Sequence, residues 1–157
     1  MTSGRHDIVI VGGAAMGSAA AYYLSLYDQS LSIVVVEKDP GYAKCSTVMS
    51  DGNVRYQFNL EENIRISQYA MEILETFETD MAVGDKRFDP ASRHQGNLFL
   101  SDASGVEVAH AGLALQQSLG CDTVWLESEA IEARWPVISG PDHVGGTFGP
   151  SDGSVDP

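Results

Sequence analysis

Cysteine is scarce in this sequence: Cys45 and Cys121 are the two in 157 residues and form no Cys-x-x-Cys pair. Neither a disulfide framework nor a thiolate metal site is expected. The four histidines show no helical metal-ligand spacing, so no metal is expected. Long apolar runs are also lacking. The run near the start, Ile8 to Val11, gives way at once to Gly12 and Gly13. It falls far short of the ~20 apolar residues of a membrane span and is too short for the core of a secretory leader. No membrane span is expected, and the cytoplasm is the expected location. Positive charge is short as well: nine Lys and Arg stand against 22 Asp and Glu, a formal charge of -13. Such a chain repels nucleic acid and anionic membrane surfaces as a whole, although it can still hold a phosphate locally.

What is present is an ordinary globular composition, 43% hydrophobic and 20% charged, in a length that fits one domain with a sizeable core. Asp7 to Val11 is short, apolar and β-branched, and reads as a strand buried on both faces. From Ala14 to about Leu26 the chain is rich in alanine and leucine without proline, which predicts a helix starting inside the glycine-rich turn. Leu31 to Val36 predicts a second buried strand, with Glu37 at its end. Together these make a βαβ unit.

Asp39 to Phe58 has no clear period and reads as a long ordered loop. Asn59 with Glu62 suggests a capping box for a helix over about Leu60 to Phe77, whose apolar stripe is Ile66, Ala70, Ile73 and Phe77. Further on, Gly96 to Ser101 reads as a strand, Val106 to Leu119 as a helix ended by Gly120, and Thr123 to Leu126 as a strand. Ser128 is placed to cap a short helix stopped near Trp135 by Pro136, and Val144 to Phe148 as one more strand. Trp125 and Trp135 read as core or domain-contact residues.

The chemistry concentrates at Gly12-Gly13-Ala14-Ala15-Met16-Gly17, which has the frame G-x-A-x-x-G. In a dinucleotide fingerprint the first glycine permits the tight turn, the second admits the pyrophosphate and the third lets helix pack on strand. Here Ala14 stands in the middle position. Glu37 lies 37 − 17 = 20 residues beyond Gly17, where a carboxylate accepts hydrogen bonds from an adenosine ribose, which disfavours NADP. The helix N-terminus adds free N–H groups and positive potential for a pyrophosphate. A plain strand-to-helix turn would share the glycines but not the acid at the next strand end.

Several segments then resemble the FAD-dependent amine and amino-acid oxidoreductases of the D-amino-acid oxidase superfamily, which includes sarcosine oxidase and dimethylglycine dehydrogenase-like proteins. They are Asp7 to Gly17, Val34 to Lys38, Cys45-Ser46-Thr47 through Arg55 to Phe58, Gly96 to Leu100, and Asp152 to Pro157. The resemblance implies FAD as cofactor, held by Gly12, Gly13, Ala14, Ala15, Met16, Gly17, Glu37, Lys38, Ser46, Thr47 and Gly52. It places Arg55 against the flavin or a substrate carboxylate and names no catalytic base. Asp51 and Asn53 depart from the commoner glycine-rich loop. Cys45 reads as a small buried residue rather than a flavin attachment point, and His94 as structural.

The implied fold is α/β: a Rossmann-type βαβ FAD-binding unit and flavin loop over residues 1–58, then over 59–157 a helix and the start of a mixed α+β substrate domain. The implied reaction is oxidation of a C–N bond in a small amine or N-methyl amino acid, giving an imine that water hydrolyses. A complete flavoenzyme of this kind does not fit in 157 residues, so a truncated and inactive chain is expected, needing a missing second half or a partner chain. Two other readings stay open: a fragment of an NAD-dependent dehydrogenase, which shares the first βαβ unit, and a nucleotide-binding subunit without activity of its own.

Overall fold

A computed structural model describes residues 4–157, which divide into two compact units, one ending at Asp51 and joined by Pro157, the other spanning Gly52 to Asp156. The division falls before Gly52, so Arg55 to Phe58 belong to the second unit.

The first unit is β1 (Ile8–Val11), α1 (Ala15–Tyr27) and β2 (Ile33–Val36), with the strands parallel and Ile8 opposite Ile33 through Val11 opposite Val36. Side chains alternate across a strand. In β1 Ile8 and Ile10 are half-buried, whereas Val9 and Val11 are exposed, Val11 at 86%. The expectation that both strands are buried on both faces is therefore corrected. Among the described residues this sheet has two strands, and the helix packed on it, α1, leaves the other valines open. Helix α1 itself has no fully buried residue.

The second unit holds the core. Strands β4 (Asn97–Ser101) and β5 (Val124–Glu127) pair antiparallel to either side of β6 (Gly145–Gly149), every residue of which is buried. Helices α2 (Glu61–Asp80), α3 (Val106–Ser118) and α4 (Ser128–Arg134) supply Ile64, Met71, Leu113 and Ile131, and β6 supplies Phe148. Phe148 meets the Trp135 ring at 5.4 Å, and the Arg134 guanidinium lies over both rings. Gly120, at φ +84, turns the chain out of α3, as its position predicted: the Cys121 amide donates to the Gln116 carbonyl and the Gly120 amide to that of Gln117.

Three local expectations change. Helix α2 begins after Leu60 with no side-chain cap, so the Asn59–Glu62 capping box does not form. The space against Gly112 in α3 takes the Asn59 side chain instead. The buried stripe of α2 contains Ile64 and Met71, and Ile66 is 67% exposed. Glu127 rather than Ser128 precedes α4, and the Ser128 hydroxyl donates to the carbonyl of His143. The loop after β2 contains a two-residue strand, β3 (Asn53–Val54), that pairs antiparallel with β7 (Gly153–Ser154).

Candidate dinucleotide site

The turn between β1 and α1 is built by steric necessity. A Cβ on Gly17 would fall onto the carbonyl oxygen of Gly12, so this contact admits only glycine, and Gly12 itself takes φ +95. Ala14 sits at φ -67, a conformation any residue adopts, which explains how alanine serves where the fingerprint has glycine. The Ser18 amide is the first in α1 to donate within the helix, to the Ala14 carbonyl. The amides before it in the first turn are left for an outside acceptor.

Glu37 closes the turn from the other side. Its Oε2 accepts the Gly13 amide at 2.8 Å and its Oε1 accepts the Asp39 amide at 2.9 Å. These two bonds, the Gly13 one first, hold its carboxyl below the usual range despite a smaller opposing effect of desolvation. One carboxylate thus ties the glycine turn to the loop after β2. That loop continues through Tyr42, whose amide donates to the Asp39 carbonyl, and a short turn in which the Met49 amide donates to the Cys45 carbonyl.

Two clefts open on this arrangement. One, of about 480 Å³, is lined by Gly12, Glu37, Lys38, Tyr42 and Lys44 among others. The other, of about 280 Å³, is lined by Gly13, Ala14, Ala15, Thr47 and Tyr42 among others. Of the residues singled out in the sequence, Met16 and Ser46 are exposed and line neither cleft. Cys45 lines both and its sulfur accepts the Val48 amide.

Gly52 and Arg55 lie in the second unit. Gly52 is buried at φ +67 and its carbonyl accepts the Val155 amide. Arg55 is half-buried, its guanidinium 4.8 Å from the Phe58 ring centroid and 5.1 Å from that of Phe99. Beside it stands Asp152, fully buried, which accepts the Tyr56 amide at 2.7 Å and the Gln57 side-chain amide at 2.8 Å. Burial pushes its carboxyl up, and the two hydrogen bonds oppose that. His94 is exposed, with its Nδ1 2.9 Å from the Ser151 carbonyl oxygen.

Sequence reasoning missed Asp39, Tyr42 and Asp152. The first two bound the turn Asp39-Pro40-Gly41-Tyr42, whose Pro-Gly pair marks a turn but not a ligand site. Asp152 opens the closing segment already noted as family-like, but nothing in the sequence marks it as buried.

A parallel βαβ unit with a glycine-only turn feeding a helix N-terminus, and an acid closing the second strand, defines the dinucleotide-fold class of α/β proteins. Within that class, residues 7–157 match the profile of the family described as FAD dependent oxidoreductase, and the chain belongs to that family. It is 32% identical over 139 residues to FAD-dependent oxidoreductase domain-containing protein 1 of Xenopus laevis, covering 86% of this chain and 28% of that protein. It is 34% identical over 137 residues to the Drosophila melanogaster homolog, covering 85% of this chain and 25% of the other. The chain therefore spans about a quarter of these relatives' length. L-proline dehydrogenase from P. horikoshii shares the fold with a TM-score of 0.77 at 23% identity, over 97% of this chain and 38% of that one. Glycine oxidase from Geobacillus kaustophilus does so with a TM-score of 0.76 at 16% identity, over 97% and 41%. Membership in this family favours FAD over the NAD-dependent alternative. No helix among the described residues is long and apolar enough to cross a membrane.

Proposed function

We propose that the chain holds the adenosine-diphosphate half of FAD, within a protein that oxidises the C–N bond of a small amine or amino acid. The observation that carries the first half is Glu37, whose carboxylate joins Gly13 to Asp39 at the edge of a cleft shared with Gly12 and Lys38. The fit is supported by the close contact of Gly17 on Gly12, which admits no side chain at Gly17, and by the free amides at the start of α1. In this reading Glu37 accepts the ribose hydroxyls. The amides of Ala15, Met16 and Gly17 face the pyrophosphate, with the hydroxyls of Ser46 and Thr47 as further donors. Lys38 supplies positive charge at the cleft, and Gly52 gives the backbone room beside the ring. When bound, FAD supplies the two-electron acceptor that no side chain here provides.

The second half draws on the names of fold relatives, a proline dehydrogenase and glycine oxidases. Arg55, steadied by two aromatic rings, presents a planar set of donors suited to a substrate carboxylate. The isolated chain is expected to be inactive, because a flavin held by its adenosine end alone does not fix the reacting atoms against a substrate. A partner chain or further polypeptide would complete the site.

The test is anaerobic flavin reduction with proline, glycine and N-methyl amino acids, comparing this chain with one extended to the length of its relatives. Substrate-specific reduction by the extended protein alone is expected. No reduction of the extended protein by any member of the panel would remove the amine reading, and rapid reduction by the short chain would remove the claim that it is incomplete. In the extended protein Arg55→Ala should lower kcat/KM roughly 100-fold while leaving flavin content unchanged, the loss expected for a bidentate charged contact.

A further inference from the structure

Tyr42 is one of two described non-glycine residues with a left-handed backbone, at φ +55. Asparagine or glycine takes this conformation at lower cost, and a large side chain kept there is held by its surroundings. The surroundings are those of the dinucleotide turn. Glu37 accepts the Asp39 amide, the Asp39 carbonyl accepts the Tyr42 amide at 2.9 Å, and the Tyr42 carbonyl accepts the Cys45 amide at 3.0 Å. The twist in the backbone sends the phenol back over the glycine turn, where a Cβ on Gly13 would stand 2.7 Å from the Tyr42 hydroxyl. Gly13 thus leaves the space that this hydroxyl occupies. Its amide is at the same time bound to Glu37.

Tyr42 lines both clefts, the one holding Glu37 and Lys38 and the one holding Ala14, Ala15 and Thr47. Its hydroxyl therefore stands between the carboxylate suited to a ribose and the helix N-terminus suited to a phosphate. A phenol at that junction can donate one hydrogen bond, and a phosphate oxygen only accepts. We propose that Tyr42 is a cofactor-positioning residue whose hydroxyl donates to a phosphate oxygen on the adenosine side of the dinucleotide, the strained backbone at position 42 being what aims it. The proposal rests on the FAD reading above and adds a contact outside the glycine motif.

The experiment is titration calorimetry of the 157-residue chain with FAD, ADP and adenosine. Tyr42→Phe keeps the ring and removes the hydroxyl. It should weaken FAD and ADP about 10-fold, the effect of one hydrogen bond to a charged acceptor, and leave adenosine unchanged because adenosine has no phosphate. Tyr42→Asn accepts the left-handed backbone, so it should melt no lower than the wild type and still lose affinity for ADP. That separates a contact with the ligand from a merely structural role. Wild-type affinity for ADP in Tyr42→Phe overturns the proposal, as does an equal loss for ADP and adenosine. A wild-type chain that binds neither FAD nor ADP overturns the FAD reading and this proposal together, whereas binding that is indifferent to Tyr42→Phe overturns this proposal alone.

Discussion

Residues 4–51 and residues 52–156 keep their shape by different means. In the second unit Ile64 and Ile131 are fully buried and Asp152 carries its hydrogen bonds in the interior. In the first, α1 has no fully buried residue, and much of the sheet's valine surface is open. Its turn is instead fixed by the Gly17–Gly12 contact and by the two amides on Glu37. The groups proposed to hold the nucleotide are thus placed by hydrogen bonds and steric exclusion at a half-open surface. In the second unit Arg55 is half-buried and rests against the rings of Phe58 and Phe99, the latter exposed.

The sharpest way to break this contrast is to cut into each unit in turn. Ile131→Ala removes a fully buried side chain and should cost about 3 kcal/mol in denaturant unfolding, read by hydrogen exchange of β4, β5 and β6. A loss below about 1 kcal/mol would mean that the second unit does not depend on its core. Asp152→Ala strands the Tyr56 amide and the Gln57 side chain, and should cost about 2 kcal/mol by the same measurement.

The two acids should also respond to pH in opposite senses. Asp152 has a raised folded pKa, so its contribution to stability is complete below its ordinary value of 3.8 and declines as pH rises through the folded value. Glu37 has a lowered folded pKa, so its contribution is present above its ordinary value of 4.5 and is lost as pH falls through the folded value. In an NMR titration the Gly13 amide should report a transition below 4.5 and the Tyr56 amide one above 3.8. The reverse assignment would contradict the hydrogen bonds described. At the small end, Val11→Ala should change stability by less than about 0.5 kcal/mol in the isolated chain, because Val11 is 86% exposed. A larger loss would show that the first unit does rely on burial.

The glycine turn and Glu37 were legible because their constraint is local. The close contact of Gly17 on Gly12 and the distance to the acid are written within a single βαβ unit. The α/β order and most element positions were legible for the same reason. The face of α2 was not, because Ile64 and Met71 form one apolar line and Ile66, Ile73 and Phe77 another, and packing rather than period chooses between them. Strands β3 and β7 are two residues each and pair across about 100 positions, too short to carry a pattern. Asn59 looks like a cap until Gly112 supplies a place for its side chain. Tyr42 left no trace in the sequence, since a left-handed tyrosine has no motif.

The central question for this molecule is whether the first unit holds a flavin nucleotide through Glu37. Calorimetry of the 157-residue chain with FAD, beside Glu37→Ala, measures it. The expected result is saturable binding by the wild type and a loss of about 10-fold or more in the variant, as for removal of a charged hydrogen-bond acceptor. Equal affinity in the two proteins, with the variant folded, would contradict the placement of the nucleotide at Glu37.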